Sequence, residues 1–329
     1  MDMIVCRTLN SLKKIRKPVV LTIGFFDGVH LGHRKIISTA IRIARKTDGE
    51  TWVLTFDNHP RGVVAPSRAP ELLTDTEQKL HILQSLGVNG CIVLRFDRKL
   101  AMLEPDEFAE KLTSSIPTLD TIVVGENWRF GRNRKATASD MSRLVPPNVR
   151  MVTVKMLKWK GEPISSSRIR LVLKTGALRE VERMLGRPWI LRGVVVHGRG
   201  IGRKIGFPTG NLDVRGRALP AYGVYAVFVK IVSGGKSAQR TRVFPGVGNL
   251  GVRPTFNLRR RIKPLFEFYL FGRVKRLYGK KVEVIFVHKL RDERYFSEVQ
   301  LLAEQIKHDC EQAMKILKTK RFTIFRKCI

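Results

Sequence analysis

Between Pro18 and Leu157 the chain alternates short apolar runs with amphipathic stretches, and that alternation limits the folds open to it. PVVLTI, TWVLTF, CIVLRF, TIVVG and VRMVTVKML have the length and apolar density of buried strands. Gly32 to Lys46 has helical spacing, with Ile36, Ile37, Ile41 and Ala44 on one face. TDTEQKLHILQSLG opens on a cap-like Thr74 or Asp75 and closes at Gly87, and EPDEFAEKLTSSI is a third helix. Strands separated by helices predict a doubly wound α/β domain, a parallel sheet that takes ligands at the carboxyl ends of its strands. After GALREVERMLGRPW the pattern changes. ILRGVVVHG, GVYAVFVKIV, RVFPGVGNLG, LFEFYLF and KKVEVIFVHKL are short alternating strands between Gly-rich turns, which predicts a small antiparallel β-barrel. A terminal helix from Ser297 to roughly Lys318 packs on it through Val299, Leu302, Ile306 and Met314. A chain of 329 residues is too long for one core. The expected domains are 1–186 and 187–329, divided at Gly186-Arg187-Pro188.

The charge is the anomaly: 62 Lys and Arg against 28 Asp and Glu, a net +34, with a pI near 10.8. Such an excess attracts polyanions, either nucleic acid or polyphosphate substrates. It is spread along the chain, 32 basic against 19 acidic residues over 1–190 and 30 against 9 over 191–329. The basic clusters KKIRK, RFGRNRK and NLRRRIK lack the interleaved aromatics of a base-stacking platform, so nucleic acid is the less favoured partner. No apolar run reaches the length of a membrane span, and the N-terminal stretch has no signal-peptide pattern. Cys6, Cys91, Cys310 and Cys328 lie too far apart for a metal or redox pair. A cytoplasmic location is expected.

The motif LTIGFFDGVHLGHRKII, Leu21 to Ile37, places two histidines where a strand ends and a helix begins. A helix N-terminus offers unpaired N–H groups and a positive dipole end to phosphate. Gly24, Gly28 and Gly32 let the backbone turn and approach a ligand closely. His30 and His33 can donate hydrogen bonds to phosphate oxygens and stabilise charge growing on a leaving pyrophosphate. A lone histidine at such a place is commonly a cap; the full GFFDGVHLGH pattern is more specific. Far along the chain, ISSSRIR supplies Ser165, Ser166, Ser167 and Arg168 at a helix head, suited to gripping the same triphosphate.

GFFDGVHLGH with a downstream ISSSRIR resembles the nucleotidyltransferases that activate substrates with ATP, most closely the bacterial bifunctional riboflavin kinase/FAD synthetase family. TFDNHP and VGENWRFG agree with that family's motifs. Asn58 stands where the family has a proline, which is expected to loosen that turn, and Ala136-Thr137 stands where it has a glycine and an aspartate. The resemblance implies nucleotide contacts from Gly24, Phe26, Asp27, Gly28 and Ser165 to Ser167, with Asn127 and its neighbours on the adenylate or flavin side.

The second half carries GRGIGRKIGFPTGNL, Gly198 to Leu212. No GK[ST] follows its glycines, so it is not the lysine-ending phosphate loop. A loop built on Gly198, Gly200, Gly206 and Pro208 can instead cover phosphates, with Thr209 and Asn211 as oxygen ligands for Mg-ATP. Glu267, in the apolar strand LFEFYLF, either faces outward as an ordinary surface carboxylate or works. The stretches GFPTGNL, YGVYAVFV, GVGNLGVRPTF, FEFYLF, LYGKKVEVIFVHKLRDERYF and the closing QIKHDCEQA resemble the riboflavin kinase module in order and spacing, so that only the tail after Leu317 is left unmatched. The resemblance implies that Thr209 and Asn211 bind Mg-ATP and that Glu267 is the general base on the ribityl 5′-hydroxyl. Gly210 replaces the family's alanine, and an Asp usual after the glutamate strand is missing.

The favoured reading is a two-step enzyme that uses ATP and Mg2+: riboflavin to FMN in the barrel, then FMN to FAD in the first domain. A kinase with a degenerate first domain is the alternative, and a basic RNA-binding protein is a third reading.

Overall fold

The computed structural model describes residues 2–198, 202, 205–232, 242–252, 264–272, 274 and 277–328, with backbone only from 320 onward. Gly200 and the basic run at 257–263 lie outside the described residues. The chain divides into two compact units, Met1–Ser166 and Ser167–Ile329.

In the first unit, β1 (Ile4–Cys6), β2 (Val19–Ile23), α1 (Leu31–Lys46), β3 (Glu50–Phe56), α2 (Pro60–Val64), α3 (Thr76–Ser85) and β4 (Gly90–Leu94) come first. Then follow α4 (Arg98–Met102), α5 (Pro105–Ser115), β5 (Leu119–Gly125), the hairpin β6 (Arg129–Phe130) and β7 (Ala136–Thr137), α6 (Ala138–Leu144) and β8 (Arg150–Val154). A second hairpin, β9 (Lys158–Trp159) and β10 (Glu162–Pro163), ends the unit. The sheet order is β1-β4-β3-β2-β5-β8, and every pairing is parallel. The chain builds outward from β2 through β3 to β4, then returns to β5 and β8 on the other side. The order therefore reverses between β2 and β5, and a ligand crevice opens at the carboxyl ends of those two strands.

Both faces of this sheet are covered, because β2 is buried along its whole length. Leu21, Ile23, Trp52 and Leu54 pack with Phe108 and Leu112 of α5 on one face. Val53, Cys91 and Val93 pack with Ile37 of α1 and Ile82 and Leu83 of α3 on the other. Each buried side chain of this size contributes about 1.5–3 kcal/mol of transfer free energy. Asp75 caps α3, its carboxylate accepting from Gln78 N at 2.6 Å. Edge strand β1 was not legible: it is three residues long, with Ile4 56% and Val5 44% exposed, so it has no burial pattern to read.

The second unit begins with α7 (Ser166–Lys174, its first residue closing the first unit) and α8 (Leu178–Leu185). Six strands follow: β11 (Ile190–Val196), β12 (Gly210–Leu212), β13 (Gly223–Val232), β14 (Val243–Val252), β15 (Pro264–Leu270) and β16 (Lys281–Arg291). They close into an antiparallel barrel in the order β11-β12-β15-β14-β13-β16. Phe266 of β15 meets Phe286 of β16 with ring centroids 5.1 Å apart, although these strands are not neighbours in the barrel; their rings meet across its interior. Strand β12 departs from the sequence reading, which left Asn211 in a loop. Three residues between a Pro-containing turn and a polar loop are too short to show alternation.

Glycines make room for these rings. A Cβ at Gly210 would lie 2.8 Å from Phe268 Cζ, and one at Gly248 would lie 2.3 Å from Phe266 Cζ. Phe268 is 1% exposed, so its ring would have to shift within the core. Gly210→Ala is therefore expected to lower stability by about 1–3 kcal/mol through overpacking. Thermal denaturation checks this, and an unchanged midpoint would mean that the Phe268 ring moves aside at no cost.

The terminal helix α9 (Val299–Cys328) runs ten residues beyond the expected Lys318. Its packing face also differs from expectation. Ala313 and Leu317 are buried against Val224, Ala226, Phe228 and Val247 of the barrel, while Val299 is 61% and Met314 41% exposed. Small Ala313 allows the close approach, and Asp309 anchors the helix. The Arg291 guanidinium donates to that buried carboxylate from Nε at 2.9 Å and from Nη2 at 2.7 Å. A bidentate pair of this kind fixes rotation of the helix more strictly than apolar contact does.

Candidate active sites

In the first unit, the chain leaves β2 at Gly24, whose N–H donates to Leu54 O at 3.0 Å, and enters a strained turn. Phe26 has φ +53°, Gly28 +78° and Val29 +37°. Non-glycine residues in this region cost of order 1–3 kcal/mol each and persist only where the surroundings enforce them. Asp27 does the enforcing. Its buried carboxylate accepts from Leu73 N at 3.0 Å and Thr74 N at 3.0 Å, while Gly28 N donates to Thr74 Oγ1 at 3.0 Å. Asp27 and Phe26, both expected among the nucleotide contacts, are 3% exposed and shape the turn from within.

His30 caps α1, its Nδ1 accepting from His33 N at 3.3 Å. The two imidazoles stack with centroids 3.6 Å apart at 19°, and Phe26 meets His33 edge-on at 5.2 Å. Ser166 Oγ donates to Asp27 O at 2.9 Å, so the ISSSRIR segment reaches the GFFDG turn as the two motifs predicted. Ser165 precedes this contact; Ser167 and Arg168 follow it in the first turn of α7, in the second compact unit. Asn58 does not loosen its turn. Its side chain donates to Phe96 O at 2.8 Å and accepts from Phe96 N at 2.9 Å, tying the loop after β3 to the loop after β4. Thr137, at the other departure, caps α6 in a capping box with Asp140.

A cavity of about 370 Å³ opens at the crevice, with Gly24 and His33 on one wall and Asn127, just beyond β5, on another. Phe56, Phe96 and Trp128 are among its apolar lining, and Arg129 and Arg134 also border it. Trp128 and Phe130 stack at 4.7 Å and 15°, giving a flat aromatic wall. Aromatic walls with a few polar groups, His33 and Asn127 among them, suit a flat heteroaromatic ring.

In the second unit, β15 turns Phe266, Phe268 and Leu270 into the barrel and Glu267 out of it. Glu267 nevertheless is half-buried, not a solvent-facing carboxylate. Strand register puts Asn211 of β12 opposite it on one side and Asn249 of β14 opposite it on the other. Directly paired residues share a face with Cβ atoms about 4.5–5.5 Å apart, so a carboxylate lies between two carboxamides. Gly198, at the start of the Gly-rich stretch, lies close to this row. A Cβ at Gly198 would lie 2.2 Å from Asn211 Nδ2, so a side chain there would displace the Asn211 carboxamide, and Gly206 takes φ +86°. Phe207 N donates to Gly202 O at 2.7 Å, and Phe207 meets Tyr269 edge-on at 5.4 Å. Pro208 is exposed and Thr209 half-buried beside Gly202.

Asn249 escaped the sequence reading. Its Oδ1 is buried with no hydrogen-bond partner among the described residues, an acceptor left open beside the glutamate. The signal was a single polar side chain inside GVGNLG, meaningful only once register sets it against Glu267.

Two family models match the chain: FAD synthetase over residues 12–168 and riboflavin kinase over residues 185–317. The bifunctional riboflavin kinase/FMN adenylyltransferase of Bacillus subtilis is 32% identical over 306 residues, which cover 92% of this chain and 94% of that protein. The Haemophilus influenzae protein of the same name is 33% identical over 314 residues, covering 93% and 97%. Among solved structures, a macrolide-efflux protein from Streptococcus pneumoniae has a TM-score of 0.79 at 29% identity, covering 94% of this chain and 97% of its own. With one family model on the sheet and the other on the barrel, and with relatives above 30% identity over nearly their full length, the chain belongs to the bifunctional riboflavin kinase/FMN adenylyltransferases, which make FMN from riboflavin and FAD from FMN.

Proposed function

We propose that the two reactions are divided between the two sites, with modules 1–186 for adenylyl transfer and 187–329 for phosphorylation. The observation carrying this reading is that His30 and His33 stand together at the head of α1 in the first unit, while Asn211, Glu267 and Asn249 stand side by side across β12, β15 and β14 in the second. The family matches, which end at 168 and resume at 185, support that division.

In the barrel, Glu267 takes the proton from the ribityl 5′-hydroxyl as its oxygen attacks the γ-phosphorus of ATP and ADP departs. Asn211 and Asn249 orient the reacting groups, and Gly198, Gly200, Gly206 and Pro208 belong to the loop over the phosphates. The donors near this loop are a hydroxyl and a carboxamide, hard oxygens of the kind Mg2+ accepts when phosphates complete its shell. Thr209 and Asn211 would hold Mg2+, which neutralises phosphate charge when bound.

In the sheet domain, an oxygen of the FMN phosphate attacks the α-phosphorus of ATP and pyrophosphate leaves. His30 and His33 donate to the oxygens on which charge grows, and the positive dipole end of α1 faces the phosphates. The flat cavity beside Asn127 takes the flavin ring. Ser165, Ser166, Ser167 and Arg168 are assigned to the phosphates on the strength of the motif, and the Ser166 contact to Asp27 supports the assignment of Ser166. The chain acts where ATP is supplied, in the cytoplasm.

Chromatography of flavins after incubation with riboflavin, ATP and Mg2+ tests this reading. FMN should appear first and FAD after it, and FMN supplied with ATP should yield FAD directly. A product series that stops at FMN would leave a kinase with an inactive sheet domain.

A further inference from the structure

Helix α3 carries a lysine at a position packed like a core residue. Lys79 is 2% exposed and reaches the carboxyl ends of β2 and β3. An ammonium has three donors and no acceptor, and here three acceptors surround it. They are Phe25 O at 2.9 Å, Phe56 O at 2.9 Å and Thr55 Oγ1 at 3.0 Å. The Phe25 ring also lies 4.3 Å from Nζ, and Thr55 Oγ1 donates to Phe25 O at 3.0 Å. Phe25 belongs to the strained turn before His30, and Phe56 leads into the loop carrying His59. The Phe25 and His59 rings meet edge-on at 4.6 Å. Burying an ammonium costs free energy that an apolar side chain of the same length would not incur. Packing alone therefore does not account for it.

We propose that Lys79 is a positioning residue for adenylyl transfer: its ammonium ties the carbonyl ends of β2 and β3 together and holds the turn that presents His30 and His33 to ATP. The inference rests on the assignment of that turn to the nucleotide. Lys79 itself touches neither substrate nor the reacting atoms.

The charged and titratable groups facing Lys79 are Asp27 from the turn, Asp57 from the loop after β3, and Cys91 of β4. Burial pushes the lysine down to about 8, and the Asp27 and Asp57 carboxylates offset part of that. Burial holds the Cys91 thiol up at about 12, so it stays neutral across the assay range. The ammonium is complete below pH about 8 and lost above it, so the tie loosens as pH rises through that value. The stability effect has the opposite sign. The folded chain releases this proton before the unfolded chain does, so the contribution of Lys79 to stability rises between pH about 8 and the ordinary 10.5. A fall in FAD synthesis over that window is then not unfolding caused by this group.

The test compares FAD formation from FMN with FMN formation from riboflavin, in the full-length chain and in Lys79→Met, across pH. In the parent, kcat/KM for FAD formation should decline above pH about 8, and FMN formation should not share that limb. In Lys79→Met, FAD formation should drop about 100-fold, the scale of a small misplacement of reacting groups, and should lose the alkaline limb, with FMN formation unchanged. A variant within about twofold of the parent, or one that keeps the decline, overturns the proposal. Should the variant not fold, the parent decides: a limb near pH 8 confined to FAD formation supports the proposal, and its absence overturns it. Full FAD synthesis by His33→Ala would instead sink the site assignment beneath it. A normal loss in His33→Ala with no effect of Lys79→Met sinks this inference alone.

Discussion

Glu267→Gln is expected to lower FMN formation by about 100–10,000-fold, the usual worth of a general base, without disturbing the fold. Glutamine keeps the length of the side chain and can hydrogen-bond to carboxamides, so the row formed with Asn211 and Asn249 can persist. What it cannot do is accept the hydroxyl proton. FMN supplied with ATP should still become FAD at the parental rate, because that chemistry is assigned to the other unit. Flavin chromatography and a melting curve on one preparation separate the outcomes. Equal loss of both products with a lowered melting midpoint would make Glu267 a structural carboxylate. No change in either product would make it an ordinary half-buried side chain.

His33→Ala should produce the reciprocal pattern, with FAD formation down by about 100–1000-fold and riboflavin phosphorylation intact. The imidazole lines the cavity beside Gly24 and Asn127, where a donor can meet charge growing on the pyrophosphate. It also stacks on His30 and meets the edge of Phe26, so alanine removes packing as well as a donor. His33→Gln separates the two effects by restoring a donor without an aromatic ring. Partial recovery of FAD synthesis by glutamine supports the electrostatic role. If alanine and glutamine were equally inactive while both melted like the parent, ring stacking on His30 would be the property that matters.

The sheet domain was legible because its strands are continuous apolar runs and its helices are amphipathic with readable ends. Asp75 and Gly87 bracket α3 as expected, and β2 is buried throughout. The first site was legible for a related reason: GFFDGVHLGH is contiguous, so a strand end, a turn and a helix start are set by neighbours in the chain. The barrel was less legible. Five of its strands show alternation, but β12 is three residues long and was read as part of a glycine loop. The seam of α9 was misjudged because hydropathy favours Met314 over Ala313, whereas close packing on a curved barrel selects the smaller side chain.

Residue types and local spacing thus determine the two architectures, the turn that begins at Gly24, and the candidate side chains His30, His33 and Glu267. They act over a few residues, through burial periodicity, capping and backbone freedom. Which distant side chains share a site is a matter of register and packing. Asn211 and Asn249 flank Glu267 only because β12 and β14 pair with β15 in one particular alignment, and a slip of one residue would turn all three to the opposite face. Lys79 likewise looks like an ordinary solvent-side lysine of an amphipathic helix until α3 docks on the sheet. Docking removes its ammonium from water and leaves the carbonyls of Phe25 and Phe56 as its partners.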